Sequence, residues 1–386
     1  MFLRRRERAA AGASPNRKGS DQRVEKDISK KILVVDDSAL MRRIFCDIIN
    51  REQRFHVADT AANGREALKL LQNNTYDLIL LDLTMPVMDG ISFMKEMNRL
   101  GNKTKTVIIS SLVSQGADIT LEALSLGAVD FVKKPSGILD VKGEKFYNLL
   151  IRILSDVLLS DENRHDHNRE AEPEKTDVPK VTAKPSEKGN KKTLVAIASS
   201  TGGPKALQEV LSGLPGDLNA PVLIVQHMPA GFTATLAERL DNICALHVQE
   251  AAEDVLIRKG NIYLARGGIH MTAVHKGGGD RIAFLDKPPR EGVKPCANYM
   301  YESLKDCSYE RIVCVVLTGM GADGTQGITN LKEHKELYVI AQNQESCAVY
   351  GMPRCVVAAG LANEVVPLEK VADAIIKNVG VSKDGC

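Results

Sequence analysis

Three short segments in the second half of the chain each place one reactive side chain just beyond an apolar run. They are Ser200 in Ser199-Ser200-Thr201-Gly202-Gly203, His227 in Gln226-His227-Met228-Pro229, and Asp323 in Gly319-Met320-Gly321-Ala322-Asp323-Gly324. A hydroxyl, an imidazole and a carboxylate brought to one place can cleave an acyl bond, the imidazole taking the hydroxyl proton and the carboxylate orienting the imidazole. The first half carries a second set: Asp36 and Asp37 after Lys31-Ile32-Leu33-Val34-Val35, Asp82 closing Asp77-Leu78-Ile79-Leu80-Leu81, and Lys134 before Pro135. Acidic groups gathered around one nucleophilic carboxylate, with a lysine to balance charge, can accept and hold a phosphoryl group.

Each residue alone has a plainer reading. An isolated Asp36-Asp37 pair caps the following helix, a single histidine at a strand end is an ordinary hydrogen-bonding residue, and Asp323 in a Gly-rich turn is a turn aspartate. The order and number of the residues make the chemical readings stronger. Pro204 after the two glycines marks a tight strand-to-helix turn, and a hydroxyl there lies near unpaired helix N–H groups that favour developing negative charge. The segment leaves Ser199, Ser200 and Thr201 all eligible. The Ser199–Gly203 segment fits neither Gly-x-Gly-x-x-Gly nor Gly-Lys-Ser/Thr, which lowers a nucleotide-binding reading of it.

Positioning these groups needs parallel strands. From Lys31 onward, apolar runs at 31–35, 55–60, 77–82, 105–110 and 129–133 alternate with helical periodicity, which predicts five βα units and helices on both faces of a parallel sheet. A second alternation, with strands at 193–198, 221–226, 261–265, 311–317 and 337–341, predicts another α/β domain, again mostly parallel. In such sheets ligands collect beyond the carboxyl ends of the strands. Asp36, Asp37, Asp82, Ser110 and Lys134 should therefore meet at one edge, and Ser200, His227 and Asp323 at another. Three carboxylates in one pocket repel unless a hard cation neutralises them, and Mg²⁺ is the expected ion. Ser110 would offer its hydroxyl to a phosphoryl oxygen, and Phe131 would rotate as that hydroxyl moves.

The chain has 386 residues, enough for two domains of common size. Residues 1–30 read as a disordered arm, 31–155 as the first domain, 156–191 as a charged, Pro-bearing linker, and 192–386 as the second domain. Fifty-one Lys and Arg stand against 49 Asp and Glu, so no broad cationic footprint suggests nucleic acid or an anionic membrane surface. Aromatics make up 4% with no Trp, which argues against stacking platforms. The eight cysteines are dispersed, without Cys-x-x-Cys or zinc spacing, and a reducing cytoplasm suits them. Met1-Phe2-Leu3-Arg4-Arg5-Arg6 lacks a following apolar stretch, and no window approaches the about 18 apolar residues of a membrane span.

The first set resembles the response-regulator receiver domain over residues 31–150. The resemblance implies a flavodoxin-like (βα)5 fold, Asp82 as phosphoacceptor, Asp37 and the Thr84 carbonyl as metal ligands, Asp36 as an outer-sphere ligand, and a histidine kinase as donor. In the second half, Ser-Thr-Gly-Gly-Pro, Gln-His-Met-Pro with Gly231-Phe232-Thr233, Gly268-Ile269-His270-Met271, Leu317-Thr318-Gly319-Met320-Gly321-Ala322-Asp323-Gly324 and Gly351-Met352-Pro353-Arg354 resemble the catalytic domain of chemotaxis protein-glutamate methylesterases. That resemblance implies a doubly wound, mostly parallel esterase domain with Ser200 as nucleophile, His227 as base, Asp323 as orienting acid and the Met320 amide as oxyanion donor. It further implies methyl-accepting chemoreceptors as substrates, methanol as product, glutamine deamidation as a second activity, and no cofactor for ester hydrolysis. Ala265-Arg266-Gly267 and Lys294-Pro295-Cys296-Ala297-Asn298 depart from the usual Ala-Pro-Gly and Arg-Pro-Ser-Val-Asp. A DNA-binding output domain is disfavoured by the long, strand-rich, neutral second half. A non-catalytic binding module on the same scaffold is the remaining rival.

Overall fold

The computed structural model describes residues 29–110, 114–134, 144–159 and 191–381. The expected arm and most of the expected linker lie outside the described residues. The first sheet is built from β1 (Lys30–Val35), β2 (Phe55–Ala61), β3 (Leu78–Asp82), β4 (Lys105–Ser110) and β5 (Asp130–Lys133). Its order is β2-β1-β3-β4-β5, and every adjacent pair is parallel. This is the flavodoxin-like arrangement, with a switch point beside β1 and β3.

The helices α1 (Ala39–Ile49), α2 (Gly64–Asn73), α3 (Gly90–Arg99), α4 (Ser114–Ser125) and α5 (Glu144–Leu159) connect and flank these strands. Ser38, Asn63 and Asp89 begin α1, α2 and α3 by accepting hydrogen bonds from Met41, Glu66 and Ser92 amides, the usual remedy for the unpaired first-turn N–H groups. Helix α5 continues to Leu159 and so runs past the domain boundary expected at 155. Its amphipathic period does not stop at 155, because Val157 and Leu158 remain buried.

The second sheet has β6 (Thr193–Ser199), β7 (Val222–Gln226), β8 (His247–Glu250), β9 (Asn261–Leu264), β12 (Arg311–Val316), β13 (Glu336–Gln342) and β14 (Glu364–Val366). The order β14-β13-β12-β6-β7-β9-β8 is parallel throughout. Its centre, β12-β6-β7, consists of runs buried at every or nearly every position, as required of strands covered by helices on both faces. The covering helices are α6 (Gly203–Ser212), α7 (Thr233–Asp241), α8 (Ala297–Ser303), α9 (Thr325–Lys332), α10 (Met352–Ala358) and α11 (Val371–Val379). The short edge strands β8 and β14 lie outside the expected strands, being three or four half-exposed residues without an apolar run. The antiparallel hairpin β10 (His270–Lys276) and β11 (Gly279–Leu285) lies outside them too. The hairpin turns through Gly277 and Gly278, whose φ values of 62° and 76° suit a two-residue turn.

The two units touch. Phe131 of β5 packs on Phe232 with ring centroids 4.6 Å apart, and one apolar cluster runs from Leu121 and Phe131 into Leu207, Phe232 and Leu236.

Candidate active site

The ends of β6, β7 and β12 lie side by side, and the loops leaving them carry Ser200, His227 and Asp323. The β6–α6 turn is fixed by backbone bonds: the Ser200 amide donates to the Thr318 carbonyl at 3.0 Å, and the Gly203 amide to the Ser200 carbonyl at 2.7 Å. Gly202 starts α6 in the left-handed region, φ 77°, where a side chain would be strained. Gln226 ties two strand ends together. Its Nε2 donates to the Ser200 carbonyl at 2.9 Å and to the His227 carbonyl at 3.0 Å, while its Oε1 accepts from the Ser199 hydroxyl at 2.7 Å. Ser199 is thus fully buried and committed to Gln226, and the Thr201 hydroxyl donates to Asp130, so of the three hydroxyls the sequence leaves open, that of Ser200 is the one not tied to another side chain among the described residues.

His227 Nε2 lies 2.7 Å from Asp323 Oδ2. Asp323 is buried and receives four further donors: the Ala297 amide at 2.6 Å on Oδ2, and on Oδ1 the Asn298 amide at 2.9 Å, the Gly324 amide at 2.9 Å and the Cys296 thiol at 3.0 Å. Burial alone would raise its pKa, but the bonds from His227, Cys296 and Ala297 outweigh it and hold the carboxyl below its ordinary range. With Nε2 committed to Asp323, Nδ1 is the ring nitrogen left for a hydroxyl. It is buried with no hydrogen-bond partner, so the link between Ser200 and His227 is open in this state. Hydrogen bonds of this type commonly close only around substrate.

Met320 lies on the turn after β12. A Cβ on Gly319 would stand 2.7 Å from Ser200 Cβ and 2.5 Å from Met352 Sδ, so only glycine lets the turn approach the serine this closely. Gly319 is also pinned, its amide donating to Val349 and its carbonyl accepting from Gly351 and Met352. The sequence reading names none of Gln226, Gly319 and Cys296 as a site residue. Gln226 carries a usable signal, a polar residue closing an apolar strand beside His227.

At the other sheet edge, Asp36, Asp37 and Asp82 each bring a carboxylate oxygen within 4.8 Å of the others. Lys134 Nζ lies 2.8 Å from Asp36 Oδ2 and 2.9 Å from Asp82 Oδ2. Burial and the neighbouring Asp36 raise the Asp82 carboxyl above its ordinary value despite Lys134. Burial pulls Lys134 down, but its acidic partners more than reverse this. An all-oxygen acidic set with one exposed member, Asp37, fits a hard divalent cation. The Thr84 amide faces Asp82 Oδ1 at 3.5 Å. Ser110 closes β4 but bonds Thr120 at 2.8 Å, and Phe131 turns toward Phe232 rather than solvent.

The two sites meet through β5. The Gly202 amide donates to the Val129 carbonyl at 2.9 Å, and the Thr201 hydroxyl to Asp130 Oδ2 at 2.5 Å. Arg152 Nε reaches Met320 Sδ at 2.8 Å. A cavity of about 790 Å³ opens alongside, between Arg152 and Asp156 on one side and Met320, Gly321 and Tyr350 on the other.

Two families match the chain in tandem: the response regulator receiver domain over residues 32–142 and CheB methylesterase over residues 195–375. A protein-glutamate methylesterase/protein-glutamine glutaminase of Halalkalibacterium halodurans is 41% identical over 349 residues, covering 90% of this chain and 97% of the relative. Its namesake in Geobacillus kaustophilus is 40% identical, covering 91% and 99%. The crystal structure of the Thermotoga maritima CheB methylesterase catalytic domain is 35% identical and covers 48% of this chain and 98% of that one, with a TM-score of 0.47. Identity at this level across both units, in the same order, means that the chain belongs to the protein-glutamate methylesterase/protein-glutamine glutaminase family.

Proposed function

We propose that this chain hydrolyses the γ-methyl esters of glutamates on methyl-accepting chemoreceptors, releasing methanol, deamidates receptor glutamines at the same site, and is switched on by phosphorylation of Asp82. The observation that carries the reading is the juxtaposition of the buried His227–Asp323 pair with Ser200 and the Gly319 turn, a hydrolytic arrangement that the receiver unit touches directly.

His227 Nδ1 takes the Ser200 proton as Oγ bonds to the ester carbon. The carbonyl oxygen becomes an oxyanion held by the Met320 amide, and the C–O bond to methoxide breaks as His227 returns the proton, freeing methanol. Water, deprotonated by His227, then attacks the acyl-serine, which collapses to glutamate and Ser200. Asp323 keeps the imidazole in one tautomer and stabilises its protonated form. For a glutamine the leaving group is ammonia and the steps are the same. Loss of one oxyanion donor of this kind typically raises the barrier by about 3 to 4 kcal/mol.

In the receiver, Asp37, Asp82 and the Thr84 carbonyl would hold Mg²⁺, with Asp36 in its outer sphere, and the ion would neutralise charge on the incoming phosphoryl group. Lys134, released from its present ion pairs, would bind that group, and Ser110 would turn from Thr120 toward it. Phe131 follows Ser110 as the switch residue and is the ring that packs on Phe232. In the unphosphorylated state β5 holds the Ser200 loop from outside, so substrate access requires the contact to loosen. A histidine kinase is the phosphodonor and the cytoplasm the setting, which suits the dispersed cysteines.

Methanol release from methylated chemoreceptor tests the reading, with wild type and Ser200→Ala each assayed with and without a small phosphodonor and Mg²⁺. Activity that rises on phosphorylation and disappears in the variant is expected. Equal release by the variant would overturn it.

A further inference from the structure

Asp323 does not stand on its own loop alone. Its carboxylate sits at the start of α8, where Cys296 precedes the helix in an extended conformation and the first two helical amides, Ala297 and Asn298, point at it. The Asn298 side chain secures the same region from behind. Its Oδ1 accepts from the Gly324 amide at 3.0 Å and the Gly327 amide at 2.6 Å, and its Nδ2 donates to Glu291 at 2.7 Å. A Cβ on Gly327 would lie 2.7 Å from Asn298 Cα, so the helix carrying Asp323's continuation is pressed against this segment. Within the cradle, the donor to Oδ1 that comes from a side chain of another segment is the Cys296 thiol, fully buried at 3.0 Å.

We propose that Cys296 is a positioning residue for ester cleavage: its thiol hydrogen, held on Asp323 Oδ1, turns the carboxylate so that Oδ2 faces His227 and sets how strongly that carboxylate stabilises the imidazolium. The inference rests on the reading of Ser200, His227 and Asp323 as the reacting groups. Burial and the adjacent Asp323 charge raise the thiol pKa, so the sulfur keeps its hydrogen at neutral pH and acts as donor. A thiol is a weak donor compared with a hydroxyl. It fixes the orientation of the carboxylate while leaving more of its negative charge for His227 than a serine here would.

This gives an ordered series. Cys296→Ser supplies a stronger donor, withdraws charge from Asp323 and lowers the His227 pKa. Cys296→Ala removes the donor, leaves the carboxylate more negative and raises it. The other groups near this pair include Asp130, which feels His227 across the receiver contact, His270 and the buried Tyr301 near Asp323, Lys294 beside His270, Arg290, which feels Cys296, and Glu291 on Asn298. None of these changes along the series.

The test measures kcat/KM against pH with full-length, phosphodonor-activated enzyme, and the imidazole titration of His227 by NMR in a Ser200→Ala background. The acid limb of the profile and the imidazole titration are expected to move upward together in the order Ser, Cys, Ala. The alanine variant loses roughly three- to tenfold in kcat/KM on the plateau, the worth of one hydrogen bond, and serine restores most of it. Coincident titrations in the three proteins, with activity following thermal stability alone, would reduce Cys296 to packing. If alanine fails to fold, the serine variant's downward shift decides the matter by itself. Full activity in the Ser200→Ala single variant would instead remove the underlying triad, a failure distinct from an unchanged Cys296 series.

Discussion

Replacing Thr201 by Val is the sharpest probe of coupling between the two units. Valine keeps the shape of threonine and leaves the Thr201 carbonyl free to accept from the Thr318 hydroxyl at 2.9 Å. It removes the hydroxyl that donates to Asp130 Oδ2 at 2.5 Å. In the docked state the carboxylate then loses a partner at a site it cannot share with bulk water, whereas in the undocked state it is hydrated in either protein. A hydrogen bond to a charged group contributes about 1.5 to 3 kcal/mol. At 1.4 kcal/mol per tenfold, the docked-to-open ratio should fall by roughly ten- to a hundredfold. Unphosphorylated full-length T201V should therefore release methanol at least several-fold faster than wild type, and the two should converge with phosphodonor. The control is the same substitution in a fragment beginning at Lys191, whose sheet has its own buried core and should fold alone. There T201V should equal the wild-type fragment. A rise of the same size in the fragment would mean that valine alters the Ser200 loop itself, and no rise in the full chain would mean that Asp130 does not hold the units together.

The contact should also respond to pH. Burial raises the Asp130 carboxyl pKa in the docked state above its ordinary value, so the docked state binds a proton more tightly than the open one and is favoured as pH falls. The activity of unphosphorylated full-length protein relative to the fragment should drop from pH 7 toward pH 5, and a flat ratio would contradict this. Gly319→Ala places a methyl 2.7 Å from Ser200 Cβ; overpacking of this kind costs about 1 to 3 kcal/mol in stability. The larger expected effect is a loss of about a hundredfold or more in kcat from the displaced oxyanion turn, read from single-turnover hydrolysis by folded protein. Asp82→Asn, or chelation of Mg²⁺ from wild type, should abolish the activation by small phosphodonors while leaving the basal hydrolysis of unphosphorylated full-length protein unchanged, as measured by methanol release and phosphoryl incorporation.

The strands that carry the reactive groups were readable because each is an apolar run that ends at, or leads straight into, a polar residue. The runs before Asp36, Ser200 and His227 announce both a strand and the residue at its carboxyl end. The edge strands β8 and β14 were not readable, since three or four half-exposed residues carry no period. The β10–β11 hairpin was signalled by Gly277-Gly278 between alternating residues, a local pattern that the parallel-sheet expectation passed over.

By itself the sequence determined which groups are available for chemistry and that parallel strands would carry them to sheet edges, because residue type and apolar spacing act locally along the chain. Which of those groups meet follows from how the strands and helices pack. The pairing of His227 Nε2 with Asp323, the cradle of Cys296, Ala297 and Asn298 around that carboxylate, and the seating of Asp130 on Thr201 join residues far apart in sequence. Such contacts depend on helix placement and side-chain packing that no local pattern encodes, and they seat the Ser200 loop against the receiver unit.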